Sequence, residues 1–151
     1  GKRPEYQGMA TTLVAATVRD DTVYVVNVGD SRAYLIGEEV IQITSDHSYV
    51  GELIKAGKIT KDEARFHKRN NVITRAVGAE DVVEPDYFQV DLEPGEVVLL
   101  CTDGLYNMVD ERSIHSVVEA KGSLKSKVER LVDLANKAGG KDNIAAVLIE
   151  R

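Results

Sequence analysis

The sequence contains no tryptophan, one cysteine and three prolines, and aromatic residues make up only 5% of its 151 residues. Proteins that bind single-stranded nucleic acid stack the bases on aromatic side chains, and this sequence has too few of them to favour that function. Basic residues are also in the minority, with 19 Lys and Arg against 25 Asp and Glu, which gives a formal net charge of -6 at pH 7. We therefore expect no nucleic-acid partner and no general attraction to anionic lipid, since both require a net basic surface or patch.

The single cysteine, Cys101, excludes an internal disulfide framework and lies inside an apolar run. This favours a buried thiol in a reducing compartment over a reactive cysteine. The longest apolar run is too short to span a bilayer, and no charged-then-apolar leader opens the sequence, so we expect a cytoplasmic protein without membrane insertion. The sequence begins with Gly1 rather than methionine, which suggests an expression product, a cleaved product or a piece of a longer chain.

The residues that are present are typical of one globular domain, with 43% hydrophobic and 29% charged residues. No internal repeat or low-complexity linker interrupts the chain, so residues 1–151 are expected to form a single domain. Strand-like runs dominate the first two thirds, and two amphipathic helix patterns lie near the end. This distribution predicts a layered α+β fold.

The hydrophobic pattern predicts strands and helices in a definite order. Strands are predicted at 11–18, 22–28, 32–36, 40–44, 72–77, 87–92, 97–102 and 144–150. The first two carry apolar residues on both faces, which indicates strands covered on both sides. Two short helices are predicted as an insertion at about 45–71, the second with a capping box of Thr60 and Glu63. Asp110 and Ser123 are the predicted N-caps of two later helices.

Three aspartates lie at boundaries of predicted strands, each beside a glycine that lets backbone approach a ligand closely. They are Asp30 after Gly29, Asp103 before Gly104, and Asp142 after Gly139 and Gly140. If the strands converge, each pair of carboxylates at about 4 Å would repel by ~4 kcal/mol, and protonation or a cation would relieve that repulsion. The alternative is that each is an ordinary turn aspartate.

An all-oxygen set of ligands favours a hard cation such as Mg²⁺ or Mn²⁺. Zinc would instead require His or Cys ligands at close spacing, and His47, His67 and His115 are scattered along the chain. Water bound to such a cation becomes acidic enough to attack phosphorus, so that no serine, cysteine or histidine nucleophile is needed. The aspartates therefore favour a hydrolytic metal site over a zinc site.

Six short stretches carry a family resemblance when they are taken in order. They are "GMATT" (8–12), "GDSR" (29–32), "DHS" (46–48), "RAVG" (75–78), "TDGL" (102–105) and "GGKDN" (139–143). Together they resemble the type-2C (PPM) metal-dependent serine/threonine protein phosphatases, especially the bacterial branch. The resemblance covers essentially the whole chain.

This resemblance implies a sandwich of two antiparallel sheets flanked by helices, with a dinuclear metal centre between the sheets. It implies that Asp103 and Asp142 bind Mg²⁺ or Mn²⁺ in that centre, and that Asp30 helps Asp103 to hold a third, weaker metal. Gly104 and Asn143 match positions that shape the surrounding loops. The insertion at about 45–71 matches the mobile flap beside the cleft of bacterial members.

The sequence also departs from the family pattern. Ala10 replaces a usual glycine, a small change, but the family's N-terminal motifs have no match. Those motifs supply the aspartate that bridges the core metals, a histidine proposed as general acid and a phosphate-binding arginine. His47, His67 and His115 match other positions and are expected to be structural or exposed. The chain is therefore expected to be the C-terminal portion of a phosphatase catalytic domain, which by itself binds metal weakly and hydrolyses little.

The implied partners are phosphoprotein substrates of a bacterial Ser/Thr kinase. The segment 55–69 carries six cations against two carboxylates, which could attract an anionic phosphopeptide or simply form a solvated helical face. Two alternatives remain open. The chain could be a non-catalytic pseudophosphatase or phosphoprotein-binding fragment, or it could associate with an N-terminal complement or a second copy through uncovered sheet edges and apolar surface.

Overall fold

Two antiparallel sheets form the centre of the computed structural model, which describes residues 4–151. Gly1, the unusual first residue, lies outside the described part, as does the Arg65 side chain. A three-stranded sheet has the order β1 (Leu13–Arg19), β2 (Thr22–Val28), β5 (Asp86–Asp91), and a four-stranded sheet has the order β4 (Val40–Gln42), β3 (Arg32–Ile36), β6 (Val97–Cys101), β7 (Ala146–Glu150). The predicted sandwich is confirmed.

Five α-helices connect or flank these strands within the described residues. They are α1 (Tyr49–Lys55), α2 (Lys61–Arg65), α3 (Asp103–Tyr106), α4 (Glu111–Glu119) and α5 (Leu124–Lys137). The predicted N-caps of α4 and α5 are confirmed: the Asp110 side chain accepts from the Ser113 N–H, and Ser123 accepts from the Ser126 N–H. In α2 the predicted capping box is present, since the Thr60 and Glu63 side chains each accept the other residue's backbone N–H.

The core has two parts, one on each face of the four-stranded sheet. Between the sheets, Val23 and Val25 of β2 pack in one cluster with Val98 of β6. On the opposite face, Leu99 of β6 packs in a second cluster with buried residues of α4 and α5, including Leu131. Because side chains alternate along a strand, β6 contributes to both clusters and joins the two halves of the molecule.

The strand predicted at 72–77 is wrong. This segment forms only two isolated bridges, Ile73 with Ser48 and Val77 with Thr11. Its backbone hydrogen bonds go to two different segments, because Thr74 N–H donates to the His47 carbonyl whereas Val77 N–H donates to the Thr11 carbonyl. A ladder needs one continuous partner, so an apolar run with a divided partner stays irregular.

The expectation that β1 and β2 are covered on both sides is also wrong for the described residues. Leu13 and Tyr24 are 46% and 42% exposed, and Tyr87 of β5 is 76% exposed. The strand register places all three on the outer face of the three-stranded sheet. No helix formed by residues 4–151 has the length and apolarity needed to cross a bilayer.

Candidate metal centre

Asp30 lies in the turn that carries the chain from β2 of one sheet to β3 of the other. The preceding residue, Gly29, has φ +108°, and a Cβ there would lie 2.6 Å from Thr12 Cβ. Only glycine fits this backbone without strain. A hydrogen bond also holds the next residue of the turn, because the Tyr106 hydroxyl donates to the Asp30 carbonyl at 2.9 Å. The Asp30 side chain therefore starts from a constrained backbone position.

Asp103 is the first residue of α3, and only Thr102 separates it from the buried strand β6. The one-turn helix begins there, and the backbone N–H groups of Asp103 and Gly104 lower the pKa of its carboxyl. Burial acts more strongly in the opposite direction, and with the charge of Asp142 it raises the pKa of Asp103 above its usual value. Asp103 is therefore a partly buried carboxylate that lies just beyond the end of a buried strand.

Asp142 lies in the loop between α5 and β7, and this loop is attached to the residues around Asp103. Thr102 donates its hydroxyl proton to the Asn143 carbonyl at 3.0 Å and accepts the Ala145 N–H at 3.0 Å. Gly104 faces the same loop, where an added Cβ would collide with the Asn143 carbonyl. The absence of a side chain at 104 thus lets the loop that carries Asp142 approach Asp103.

Electrostatic coupling links the three aspartates through Asp103. Burial, followed by the charges of Asp103 and Asp46, raises the pKa of Asp30 to about 6. Asp103 in turn has Asp142 as its strongest charged neighbour acting to raise its pKa. A cation between such carboxylates would relieve this repulsion, since an opposite charge favours the ionised form.

Arg32 supplies a positive charge that acts on Asp30 and Asp103. Its guanidinium donates to Asp46 at 2.7 and 3.0 Å and stacks on the Tyr106 ring, 3.6 Å from the ring centre. Gln42 also donates to Asp46, at 2.9 Å. Arg32 lowers the pKa of both Asp30 and Asp103, although burial outweighs that effect at each. Arg32, Asp46 and Tyr106 together form a wall beside Asp30 and Asp103.

A cleft of about 530 Å³ opens beside this wall. Asp30, Asp103 and Arg32 line it together with residues of α1 and α2, among them Ile54 and Lys61. The volume is within the range of ligand-binding pockets. The two inserted helices and the acidic groups Asp30 and Asp103 therefore contribute to one cleft.

The donor chemistry of these residues fits an oxygen-preferring divalent cation, because every candidate ligand is a carboxylate and two of the three have raised pKa values. The arrangement is pairwise, Asp30 with Asp103 and Asp103 with Asp142. Within residues 4–151 no group of three or more His, Cys, Asp or Glu side chains is positioned to hold a metal ion. The carboxylates of residues 4–151 thus suit a divalent cation chemically, but they do not form a complete set of ligands for one.

The histidines do not contribute to these pairs. His47 is 6% exposed, with its ring between Gly29 and Asp86. His67 accepts from the Arg69 N–H and contacts the Tyr49 ring, and the His115 ring nitrogen is 2.9 Å from the Gly37 carbonyl. All three interact with nearby backbone, as expected for structural histidines.

Sequence reasoning missed the wall formed by Arg32, Asp46 and Tyr106. Arg32 and Asp46 belong to the "GDSR" and "DHS" stretches that carry the family resemblance, so the sequence did mark both positions. It did not indicate that the two side chains form an ion pair beside the aspartates. Tyr106 had no local signal, because the residue to which it donates is 76 positions earlier in the chain.

Comparisons with known proteins identify the family of the chain. The sequence profile of the family described as Protein phosphatase 2C matches residues 1–149. The chain is 45% identical over 150 residues to protein phosphatase PhpP of Streptococcus pneumoniae, covering 99% of this chain and 61% of that protein.

Two solved structures are similar in fold. Serine/threonine phosphatase Stp1 from Staphylococcus aureus has a TM-score of 0.92 and 39% identity, covering 99% of this chain and 60% of that one. The catalytic domain of the serine/threonine protein phosphatase PstP, solved with two manganese ions, has a TM-score of 0.83 and 34% identity, covering 96% and 60%. The chain therefore spans about three fifths of the length of these relatives, and it belongs to the protein phosphatase 2C family.

Proposed function

We propose that the chain forms part of the catalytic apparatus of a metal-dependent phosphatase that hydrolyses phosphoserine and phosphothreonine in proteins. The observation that carries this proposal is that Asp103, which lines the cleft with Asp30, is coupled electrostatically to both Asp30 and Asp142. Family membership supports the reaction, since the matched relatives are named serine/threonine phosphatases. Residues 1–151 would be the C-terminal portion of that catalytic domain.

Asp103 and Asp142 are the proposed ligands of Mg²⁺ or Mn²⁺, and Asp30 with Asp103 is the proposed pair for a further, weaker ion. Gly104 and Asn143 keep the loop of Asp142 against α3. When bound, a divalent cation supplies an acidic water as nucleophile and neutralises charge on the phosphoryl group. The chain's own part is to hold Asp30 and Asp103 in partly buried positions, where a cation interacts strongly with a carboxylate, and to place the exposed Asp142 near Asp103.

The proposed substrates are phosphoproteins made by a bacterial Ser/Thr kinase, entering between the aspartates and the inserted helices. Lys55 and Lys61 line the same cleft as Asp30 and would attract the phosphate. In this proposal α1 and α2, within the insertion at about 45–71, act as the flap over a bound phosphopeptide.

The test measures metal binding and hydrolysis on the same preparations. We expect calorimetric titration of the purified chain with Mn²⁺ to show weak binding that Asp103→Asn and Asp142→Asn abolish, and expect little hydrolysis of p-nitrophenyl phosphate. Asp133→Asn, an exposed change on α5, is the matched control because it removes the same charge away from the cleft. Binding unchanged in Asp103→Asn would contradict the ligand assignment, and vigorous hydrolysis by the chain alone would contradict the expected low activity.

A second candidate function is phosphoprotein binding without catalysis. It is favoured by one observation, that residues 4–151 contain no group of three acidic, His or Cys side chains arranged to hold a metal. Fluorescence anisotropy with a phosphoserine peptide and its unphosphorylated twin separates the two candidates. Metal-independent binding of the phosphopeptide without its hydrolysis would favour the binding module.

A further inference from the structure

His47 is buried and does not line the cleft, yet it holds the residue next to Asp30 at both ends. The Gly29 N–H donates to His47 Nδ1 at 3.0 Å, and the His47 backbone N–H donates to the Gly29 carbonyl at 2.9 Å. One histidine therefore satisfies both polar groups of Gly29. The Gly29 carbonyl also accepts from Asn27 Nδ2 at 3.2 Å, so the backbone directly before Asp30 is held on both of its polar groups.

These contacts determine which ring nitrogen carries the proton. A backbone N–H can only donate, so His47 Nδ1 must be an unprotonated acceptor. On the other side of the ring, Nε2 lies 3.0 Å from Asp86 Oδ2, and a carboxylate can only accept. The proton is therefore assigned to Nε2, which donates to Asp86.

Asp86 is itself held in place from a third segment. Arg75 donates to Asp86 Oδ1 at 2.9 Å and to the Glu84 carbonyl at 2.8 Å. The hydrogen bond from His47 is the largest influence on Asp86 and, with the Arg75 contact, keeps its pKa below the usual value, so Asp86 remains an ionised acceptor. Arg75 also lies 3.1 Å from His47 Nε2, but two donors cannot bond each other, so both point to the carboxylate.

We propose that His47 and Asp86 form a positioning pair for the acidic cleft: Asp86 selects the Nε2–H form of His47, and that form holds the Gly29–Asp30 turn where the Asp30 carboxylate faces Asp103. Loss of the pair frees the Gly29 N–H and lets Asp30 move away from Asp103. The inference rests on the proposed function, since it assigns His47 to the support of a metal-binding carboxylate.

The variants separate positioning from simple stability. His47→Gln places an amide near Nε2 but offers no acceptor to Gly29, whereas His47→Asn retains an acceptor near Nδ1. Asp86→Asn keeps the shape of Asp86 but can donate to Nε2, which favours the tautomer with a proton facing Gly29. Val118→Ala, a buried change in α4 away from the cleft, is the control for lost stability.

We expect ¹⁵N NMR of the wild-type imidazole to show the Nε2-protonated form, and the Gly29 and Asp30 amide resonances to shift in His47→Gln and Asp86→Asn. Mn²⁺ affinity at equal folded fraction should fall about 10- to 100-fold in these two variants, as for other partners that orient ligands. His47→Asn should recover part of the loss, and Val118→Ala should retain wild-type affinity.

An Nδ1-bound proton in the wild type would overturn the inference without any variant. Equal Mn²⁺ affinity of His47→Gln and Val118→Ala would also overturn it. If the wild-type chain binds no Mn²⁺, the metal assignment of the proposed function fails. The inference is then decided separately by whether the Gly29 and Asp30 amides shift more in His47→Gln than in Val118→Ala.

Discussion

Gly104 lies so close to Asn143 that a Cβ added at position 104 would be 2.9 Å from the carbonyl carbon of Asn143. The atoms it would meet belong to the backbone of the loop that carries Asp142, and they cannot rotate away as a flexible side chain does. This contact joins the start of α3 to the last loop of the chain. It therefore limits, together with the Thr102 hydrogen bonds, how the loop of Asp142 lies against Asp103.

Gly104→Ala is expected to destabilise the protein by roughly 1–3 kcal/mol, because overpacking against fixed backbone exceeds the gain in helix propensity. Urea unfolding measures the loss. Gly37→Ala is the matched control, since the atom nearest to its added Cβ is the end of the flexible Glu96 side chain, at 3.0 Å. Equal stability of the two variants would show that the loop yields without cost.

Replacement of Arg32 by lysine is expected to cost about 1–3 kcal/mol of unfolding free energy. Lysine keeps the charge but loses both the forked contact with Asp46 and the stacking on Tyr106. Arg32→Ala should cost more, because it leaves Asp46, 10% exposed in its side chain, without its counter-ion. Denaturant midpoints of Arg32→Lys, Arg32→Ala and wild type check this order, and a lysine variant as stable as wild type would contradict the role of the fork.

Stability is expected to depend on the titration of Asp30. Its pKa rises from 3.8 in the unfolded chain to about 6 in the fold, so the folded state binds the proton more tightly. The contribution of Asp30 to stability therefore falls as pH rises from about 4 to about 6 and is constant above that range. After allowance for solvent screening we expect a loss of ~1–2 kcal/mol.

Comparison with Asp30→Asn isolates this effect from the other carboxylates. In EDTA, the stability of the variant relative to wild type should increase between pH 4 and 6.5 and then level off. Urea unfolding at half-unit pH steps provides the measurement. A difference that is constant with pH would show that the Asp30 pKa is ordinary.

Cys101 is expected to be unreactive in the folded protein. It is 3% exposed, and burial raises the pKa of its thiol to about 12, so neither access nor ionisation favours attack. Labelling with a disulfide reagent at pH 8 should be on the order of 10³-fold slower in buffer than in denaturant, because it requires opening of β6. Rapid labelling of the folded chain would contradict the buried environment.

Helix caps were among the features that local sequence predicted well. Thr60, Asp110 and Ser123 each accept a backbone N–H three residues ahead, an interaction contained within one turn of chain. The strand predicted at 72–77 is wrong because a strand-like composition does not show which segments will supply the hydrogen-bonding partners. Its hydrogen bonds are divided between Thr11 and the segment around His47, and that division depends on the whole fold.

The sequence by itself determined the fold class, the family resemblance and the three aspartates at strand boundaries, because glycines, caps and hydrophobic periodicity are local properties. Only the tertiary structure decided that the charge of Asp103 acts on Asp30 and that of Asp142 acts on Asp103, and that Arg32, Asp46 and Tyr106 lie beside Asp30 and Asp103. The physical reason is that charge coupling, burial and close backbone contact depend on distances between segments far apart in the chain. No single segment encodes those distances; they arise when the two sheets pack together.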